Sequence, residues 1–368
     1  MTTIINGSSP SITFSDGSAQ TSATRPFLNR IINGAMVIDQ RNAGASVSNI
    51  GNGAFITDRF FYDRAGLGIT AQFTASQSTD APTGFQYSAK LDTTTAQTLG
   101  ATGGTYFGIT HKIEGFNMAN MANNAATLSF WVKATKTGTY SVVFKNSGND
   151  RSYVGEYTVS SSNTWEYKTI TISSVTTAGT WNYTNGVGLS IFFCIAVADD
   201  VATSTIGSWI SSNVFGSVNN VEGADNTAND FLISGVQLEV GSTATSFDYR
   251  PYGTELALCQ RYYEKSYAVD AAVGTALANG FSNFVASTTG TADISSGITF
   301  RVTKRANPTV TAYNAVTGAS GTAYRVSDAT AITVNSLNYV GPNQVGSLNL
   351  ASGSINNYLI HWTAAIEL

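Results

Sequence analysis

The chain has 368 residues, 42% of them hydrophobic and 11% charged, with 35 Gly, 6 Pro, 2 Cys and a formal net charge of -4. That is enough apolar material for two or three folded domains and too little charge for a disordered chain. The scattered Lys and Arg offer no electrostatic footprint to nucleic acid or anionic lipid. In chain order, residues 1–27 are polar and weakly patterned and read as an arm or linker with little core of its own. The start "MTTIINGSSPSITFSDG" has neither the basic region nor the apolar run of a secretory signal. From Asn29 the apolar density rises, and "NRIINGAMVIDQRN" reads as a strand, an Asn33-Gly34 turn and a second strand.

Residues 28–250 then supply about ten short strands broken by Gly, Asn and Ser turns, the pattern of an antiparallel jelly roll or sandwich. In "ATLSFWVKATKTGTYSVVFKNSG", Leu128, Phe130 and Val132 alternate, "KATKTG" turns, and Tyr140, Val142 and Phe144 return, which predicts a hairpin. The longest apolar run, "IFFCIAVA", is far short of the roughly 18 residues that cross a bilayer, so no membrane insertion is expected. At its end the domain alternates Val236, Leu238 and Val240 with Gln237 and Glu239. "SFDYRPY" is extended, because Pro251 biases Arg250 away from helix. Thr254 is a candidate cap for a linking helix over 251–265 whose face carries Leu256, Cys259 and Tyr263. Residues 266–368 return to strand patterning. The fold class expected is therefore mainly β: an antiparallel jelly-roll or β-sandwich domain, a short linking helix and a C-terminal β-sandwich domain. Cys194 and Cys259 sit in apolar segments, where a thiol acts as a small hydrophobe. Synthesis in a reducing cytoplasm is expected.

Catalytic chemistry is thinly supplied. The chain has two histidines, His111 and His361, each read as structural, so neither a His-rich metal site nor a Ser/His/Asp triad is supported. Glycoside hydrolysis needs only two carboxylates, and Asp58, Asp63, Glu114, Asp150, Glu156, Asp199 and Asp200 are candidates that read more simply as turn residues. No cofactor is expected, with a structural Ca²⁺ at Asp225 and Asp230 kept open. Sugar binding uses aromatic faces beside fixed amides and hydroxyls. On that criterion the candidates are Trp181, Tyr183 and Asn185 in "TAGTWNYTNG", Trp209 in "GSWISSNVFG", and Tyr313, Asn314 and Tyr339 in the C-terminal region. Trp131 and Trp165 read as core or strand-face positions.

The junction "GVQLEVG", "SFDYRPY", "LCQRYYEK" resembles the end of the first domain in bacteriophage tail-fibre and receptor-binding proteins. "INGSSPSITFSDGS" is similar to the N-terminal segment of cyanophage-type fibres, and "NRIINGAMVIDQRN" with "ITDRF" to the entry of the same jelly roll. "LSFWVKATKTGTYSV" resembles carbohydrate-binding-module-like jelly rolls, and "FRVTKRANPTVTAYN" with "YLIHWTAAIEL" a small C-terminal β domain of phage fibres. The resemblance implies a virion protein, a homotrimer joined to other tail proteins by its N-terminal arm. Its C-terminal receptor-binding domain would face a host-surface polysaccharide or lipopolysaccharide, and the short helix would pack about the threefold axis. A fibre component with no ligand of its own and a polysaccharide depolymerase are the alternatives.

Overall fold

The computed structural model describes residues 4–6, 11–13, 19–20, 27–277, 279–286, 290–353 and 355–368. Three short strands, β1 (Ile4–Asn6), β2 (Ser11–Thr13) and β3 (Ala19–Gln20), pair only with one another among the described residues. The sandwich strands follow as β4 (Phe55–Thr57), β5 (Phe60–Ala65), β6 (Gln72–Ser78), β7 (Ser88–Thr95), β8 (Tyr106–Glu114), β9 (Ala126–Ala134) and β10 (Gly138–Asn146). After them come β11 (Ser152–Val159), β12 (Glu166–Ile172), β13 (Val187–Val197), β14 (Ala202–Thr203), β15 (Trp209–Ile210), β16 (Gly216–Ser217) and β17 (Asp230–Val240). They form a seven-stranded sheet, β15-β11-β10-β13-β8-β5-β4, packed on a five-stranded sheet, β12-β9-β17-β7-β6, with β14 and β16 paired separately.

Alternation explains the burial. Leu128, Phe130 and Val132 of β9 and Tyr140, Val142 and Phe144 of β10 are all buried between the sheets. The expected hairpin is nevertheless corrected: β9 pairs with β12 and β17, while β10 pairs with β11 and β13. "KATKTG" is an arch from one sheet to the other, and the two apolar rows face each other across the core. Phe130 accordingly meets Tyr157 and Phe193 of the opposite sheet, each at 5.1 Å. Period-two patterning says which side of a strand is buried and not which strand lies beside it.

"NRIINGAMVIDQRN" is a second correction, since no strand forms there. β17 carries a bulge between Ser234 and Gln237, and the backbone groups it frees are met by this irregular segment. Arg30 N donates to Leu238 O (2.8 Å), Val236 N to Gly34 O (2.9 Å) and Asn29 Nδ2 to Val236 O (3.0 Å). A Cβ on Gly34 would stand 2.1 Å from Val236 O, so the approach requires glycine.

The helix α1 spans Tyr252–Gln260, with Pro251 at its N-cap and Thr254 inside the first turn, so Thr254 is not the cap. Tyr263 lies beyond it in β18 (Tyr263–Lys265), which correctly belongs to the C-terminal sheet rather than the helix. The buried side of α1 carries Cys259, which with Tyr262 packs on Ile32 and Ile38 of the same chain.

The remaining strands are β19 (Ser282–Ala286), β20 (Gly290–Thr299), β21 (Thr309–Asn314), β22 (Thr322–Arg325), β23 (Thr330–Asn338), β24 (Gln344–Gly353) and β25 (Asn356–Ala365). β25 is the hub, pairing with β18, β19, β21 and β22. Phe284, Ile294, Leu348, Tyr358, Ile360 and Trp362 form the core of this unit. A polar seam joins it to the sandwich: Glu367 pairs with Arg41 (2.7 Å) and Arg59, and Arg41 lies 3.9 Å from the centre of Phe55 and 3.8 Å from that of Tyr263. Glu114 takes a two-pronged bond from Arg261 (2.8 and 2.6 Å) and the hydroxyl of Tyr262 (2.7 Å).

Candidate functional site

The outward row of the five-stranded sheet places Tyr167 of β12 opposite Trp131 of β9, and Trp131 opposite Ser234 of β17. The bulge then opens a floor. Gly235 has φ +58°, and a Cβ there would stand 2.6 Å from the ring of Phe85 and 3.0 Å from that of Trp131. Beyond it Gln237 and Glu239, the polar half of the strand's alternation, are 0% and 2% exposed. They are covered because they anchor the segment 245–249. Thr245 N and Oγ1 donate to Glu239 (2.8 and 2.9 Å), Asp248 N donates to Gln237 Oε1 (2.8 Å), and Gln237 Nε2 donates to Ser246 O (3.3 Å). The anchored strap sets Phe247 and Tyr249 against Phe85, with centroids 5.0 and 5.5 Å away, and Tyr249 donates to Gly84 O (2.8 Å).

Two recesses result, of about 660 and about 450 Å³, sharing Phe85, Phe247 and Tyr249 as a common ridge. The smaller runs to Trp131 and Tyr167; the larger runs to Tyr87 and Tyr252 beside α1. Tyr249, Tyr252 and Tyr167 are 58%, 53% and 45% exposed, so several ring faces and edges line one continuous trough. Its buried charges are already engaged. Glu255 accepts from Asn33 N and Arg250, and Arg250 also donates to Ile31 O (3.1 Å) and Asn29 O. Burial raises the Asp39 carboxyl, against the lowering effect of the amides of Gly44 and Asn42. Gln86, Thr79 and Asp270 are exposed at the rim. Ring surfaces with amide, hydroxyl and carboxylate groups around them suit an elongated ligand with apolar C–H faces and many hydroxyls.

The sequence-designated residues fall elsewhere. Trp209 does join Trp181 and Tyr183 from a separate stretch of chain: Trp181 lies 6.5 Å from Tyr183 and 5.8 Å from Trp209. Both indole N–H groups are already taken up by main-chain carbonyls, Ala178 O (2.9 Å) and Ser174 O (3.0 Å). Asn185 bonds across the seam with Arg305, its carbonyl accepting at 2.8 Å. Asn314 is fully buried and forms its own turn, accepting from Val316 N and Thr317 N. Tyr313 sits in β21 near Tyr267, at 6.2 Å, whereas Tyr339 is 81% exposed after β23. The trough residues Phe85, Phe247, Tyr249 and Tyr167 escaped the sequence criterion, and Trp131 was set aside by it. The available signal was "SFDYRPY", with its aromatics in a stretch that has no strand or helix period.

Of the carboxylates considered for hydrolysis, all but Asp199, which opens a single 3-10 turn after β13, have their side chains hydrogen-bonded. Asp63 accepts from Thr110 Oγ1 (2.8 Å), Asp150 from Thr180 N and Oγ1 (3.1 and 3.0 Å), Glu156 from Asn219 (3.0 Å), and Asp200 from the amides of Gly103 and Gly104 (2.9 and 3.0 Å). Asp58 is fully buried against Gln40, and burial pushes its carboxyl up to about 6. His111 and His361 are both fully buried; His111 lies against the backbone of Ile32, His361 against Ser266 (3.0 Å). Asp225 pairs with Lys136, and Asp230 with Lys90 at 2.9 Å. Among the described residues no group of three or more His, Cys, Asp or Glu could hold a metal ion.

No protein-family model and no curated protein matches the sequence. Among solved structures, it is similar to the enzymatically active domain of tailspike protein 4 of bacteriophage CBA120 (TM-score 0.31, 14% identity, 59% of this chain). The match spans 22% of that domain's own length. A family 4 carbohydrate-binding module gives TM-score 0.31 at 15% identity, over 57% of this chain and 99% of that one. The family 11 carbohydrate-binding module of a Clostridium thermocellum cellulosomal cellulase gives 0.28 at 12%, over 55% and 99%. The fold class rests on the sheets themselves: apart from the two-residue pair β14-β16 they are antiparallel, and among the described residues there is a single short α-helix.

Proposed function

We propose that the chain is a tail-fibre or receptor-binding protein of phage type that adheres to a host-surface polysaccharide or lipopolysaccharide through the trough, without cleaving it. The observation that carries the binding half is the run of rings from Tyr167 and Trp131 through Phe85, Phe247 and Tyr249 to Tyr252. The virion half rests on the resemblance of the junction sequence, and with it go a homotrimer and attachment by residues 1–27. The absence of cleavage draws support from the hydrogen-bonding roles already held by all but one of the candidate carboxylates. Three tethered copies would let weak troughs act together at high effective concentration.

The test is binding of the full chain to a panel of purified bacterial surface polysaccharides and lipopolysaccharides, with light-scattering mass on the same sample. A bound member, weakened about tenfold in Tyr249→Ala and in Trp131→Ala, together with a trimeric mass, is the expected result. No bound member would leave a structural virion component. Release of reducing ends would make the protein a depolymerase, and a monomeric mass would remove the fibre reading.

A further inference from the structure

The outer face of the seven-stranded sheet holds a different cavity. There the register sets Lys112 of β8 opposite Ser190 of β13, and Ser190 opposite Lys145 of β10, so two lysines flank one serine across three adjacent strands. Like charges that close together on one sheet face repel unless something of opposite sign lies between them. Lys145 is 6% exposed, and its Nζ rests 3.5 Å from the centre of Phe215. Among the described residues its ammonium has one hydrogen-bond acceptor, Asn213 Oδ1 at a long 3.4 Å. A charge so far removed from water, with its donors so poorly met, is costly unless an acceptor completes it.

The space beside Lys145 is about 240 Å³, room for one sugar ring, and is lined by Ser147, Asn149, Ser190 and Asn213 as well as the lysines. The acid on its wall, Asp63, already accepts from Thr110 Oγ1 (2.8 Å) and lies 3.5 Å from Tyr106 Oη. Lys112 donates to the main-chain oxygen of Leu368 (2.9 Å) and contributes its field. With Asp63 held by Thr110 and Lys112 held by the Leu368 oxygen, Lys145 is the lining charge whose donors are least met. No open ring face is offered, because Phe215 is stacked on Tyr106 at 3.6 Å and capped by Lys145. We propose that this pocket is a second binding site, separate from the trough, for one anionic saccharide residue whose carboxylate or sulfate group completes Lys145 while Ser190, Asn149 and Asn213 take its hydroxyls.

Calorimetric titration of the full chain with glucuronate, glucose 6-sulfate, glucose and inorganic sulfate tests it. The expected result is that glucuronate or glucose 6-sulfate binds at least tenfold tighter than glucose and than inorganic sulfate. The tighter of the two names the anion. Lys145→Met should lose at least tenfold of that affinity with no fall in the thermal midpoint, and Ser190→Ala should lose a smaller part, which serves if the first variant fails to fold. Tyr249→Ala should bind the anionic sugar as the parent does, so failure of the trough and failure of this pocket read separately. Equal affinity for glucose, equal affinity for inorganic sulfate, or undiminished binding in both pocket variants would overturn the proposal.

Discussion

The two outer faces of the sandwich start from the same alternation and end differently. On the seven-stranded sheet the outward side chains include Val143, Val154, Phe192 and Cys194, and residues 198–217 fold over them to make a small second core with Val214 and Phe215. On the five-stranded sheet the outward residues are Thr127, Ser129 and Trp131 with the buried pair Gln237 and Glu239, and the strap over them is held by hydrogen bonds. An apolar outer face draws a loop down by burial, leaving a polar pocket at the edge of the cover. A polar outer face positions its loop by direction, and the rings on that loop stay accessible.

Gly235→Val should break the second arrangement outright. Its φ is +58° and the added atoms would overlap Phe85 and Trp131, so a loss of about 3 kcal/mol is expected in urea unfolding. An unchanged midpoint would mean the rings are not seated on the bulge. Phe215→Ala attacks the other face, removing the stack on Tyr106 and the cover of Lys145; about 2 kcal/mol should be lost with trough binding intact. Smaller and opposite in sign is Lys145→Met, which should raise the thermal midpoint slightly by removing a buried charge. The pH dependence has the same origin. Burial pushes Lys145 and Lys265 from the ordinary 10.5 down to about 8. Between those pH values the unfolded chain holds more protons, so their contribution to stability rises with pH from about 8 to 10.5. Melting curves across that window should show the rise, and Lys145→Met should flatten it. At the bottom of the scale, Tyr339→Ala, at an 81% exposed position, should change stability by less than about 0.5 kcal/mol and leave the proposed trough and pocket binding unchanged.

Much of the architecture could be read from residue order. β9, β10, β13 and β17 follow their alternating or continuous apolar runs, and "TELALCQ" is helical. What could not be read was partnership. The arch between β9 and β10 has the patterning of a hairpin, and "NRIIN" has the patterning of a strand although its amides serve a bulge more than 200 residues later. Tyr263 shows why the helix was read too long: in a short apolar stretch, spacing fits either period, and pairing with β25 decided it. The trough suffered from the same blindness. Trp131 alternates like any core residue, and only the bulge at Gly235, together with the strap, makes its side of the sheet an open trough.

β25 is held along both edges, by β18 and β19 on one and by β21 and β22 on the other. During synthesis the second unit therefore has no central strand until residues 356–365 leave the ribosome, whereas the sandwich has all its strands once β17 is made. A prematurely terminated chain would emerge as a finished sandwich trailing strands with bare edges, ready prey for proteases. Only a chain that reaches Glu367 can close its clamp on Arg41 and Arg59. Closure of the second unit thus waits on its last strand.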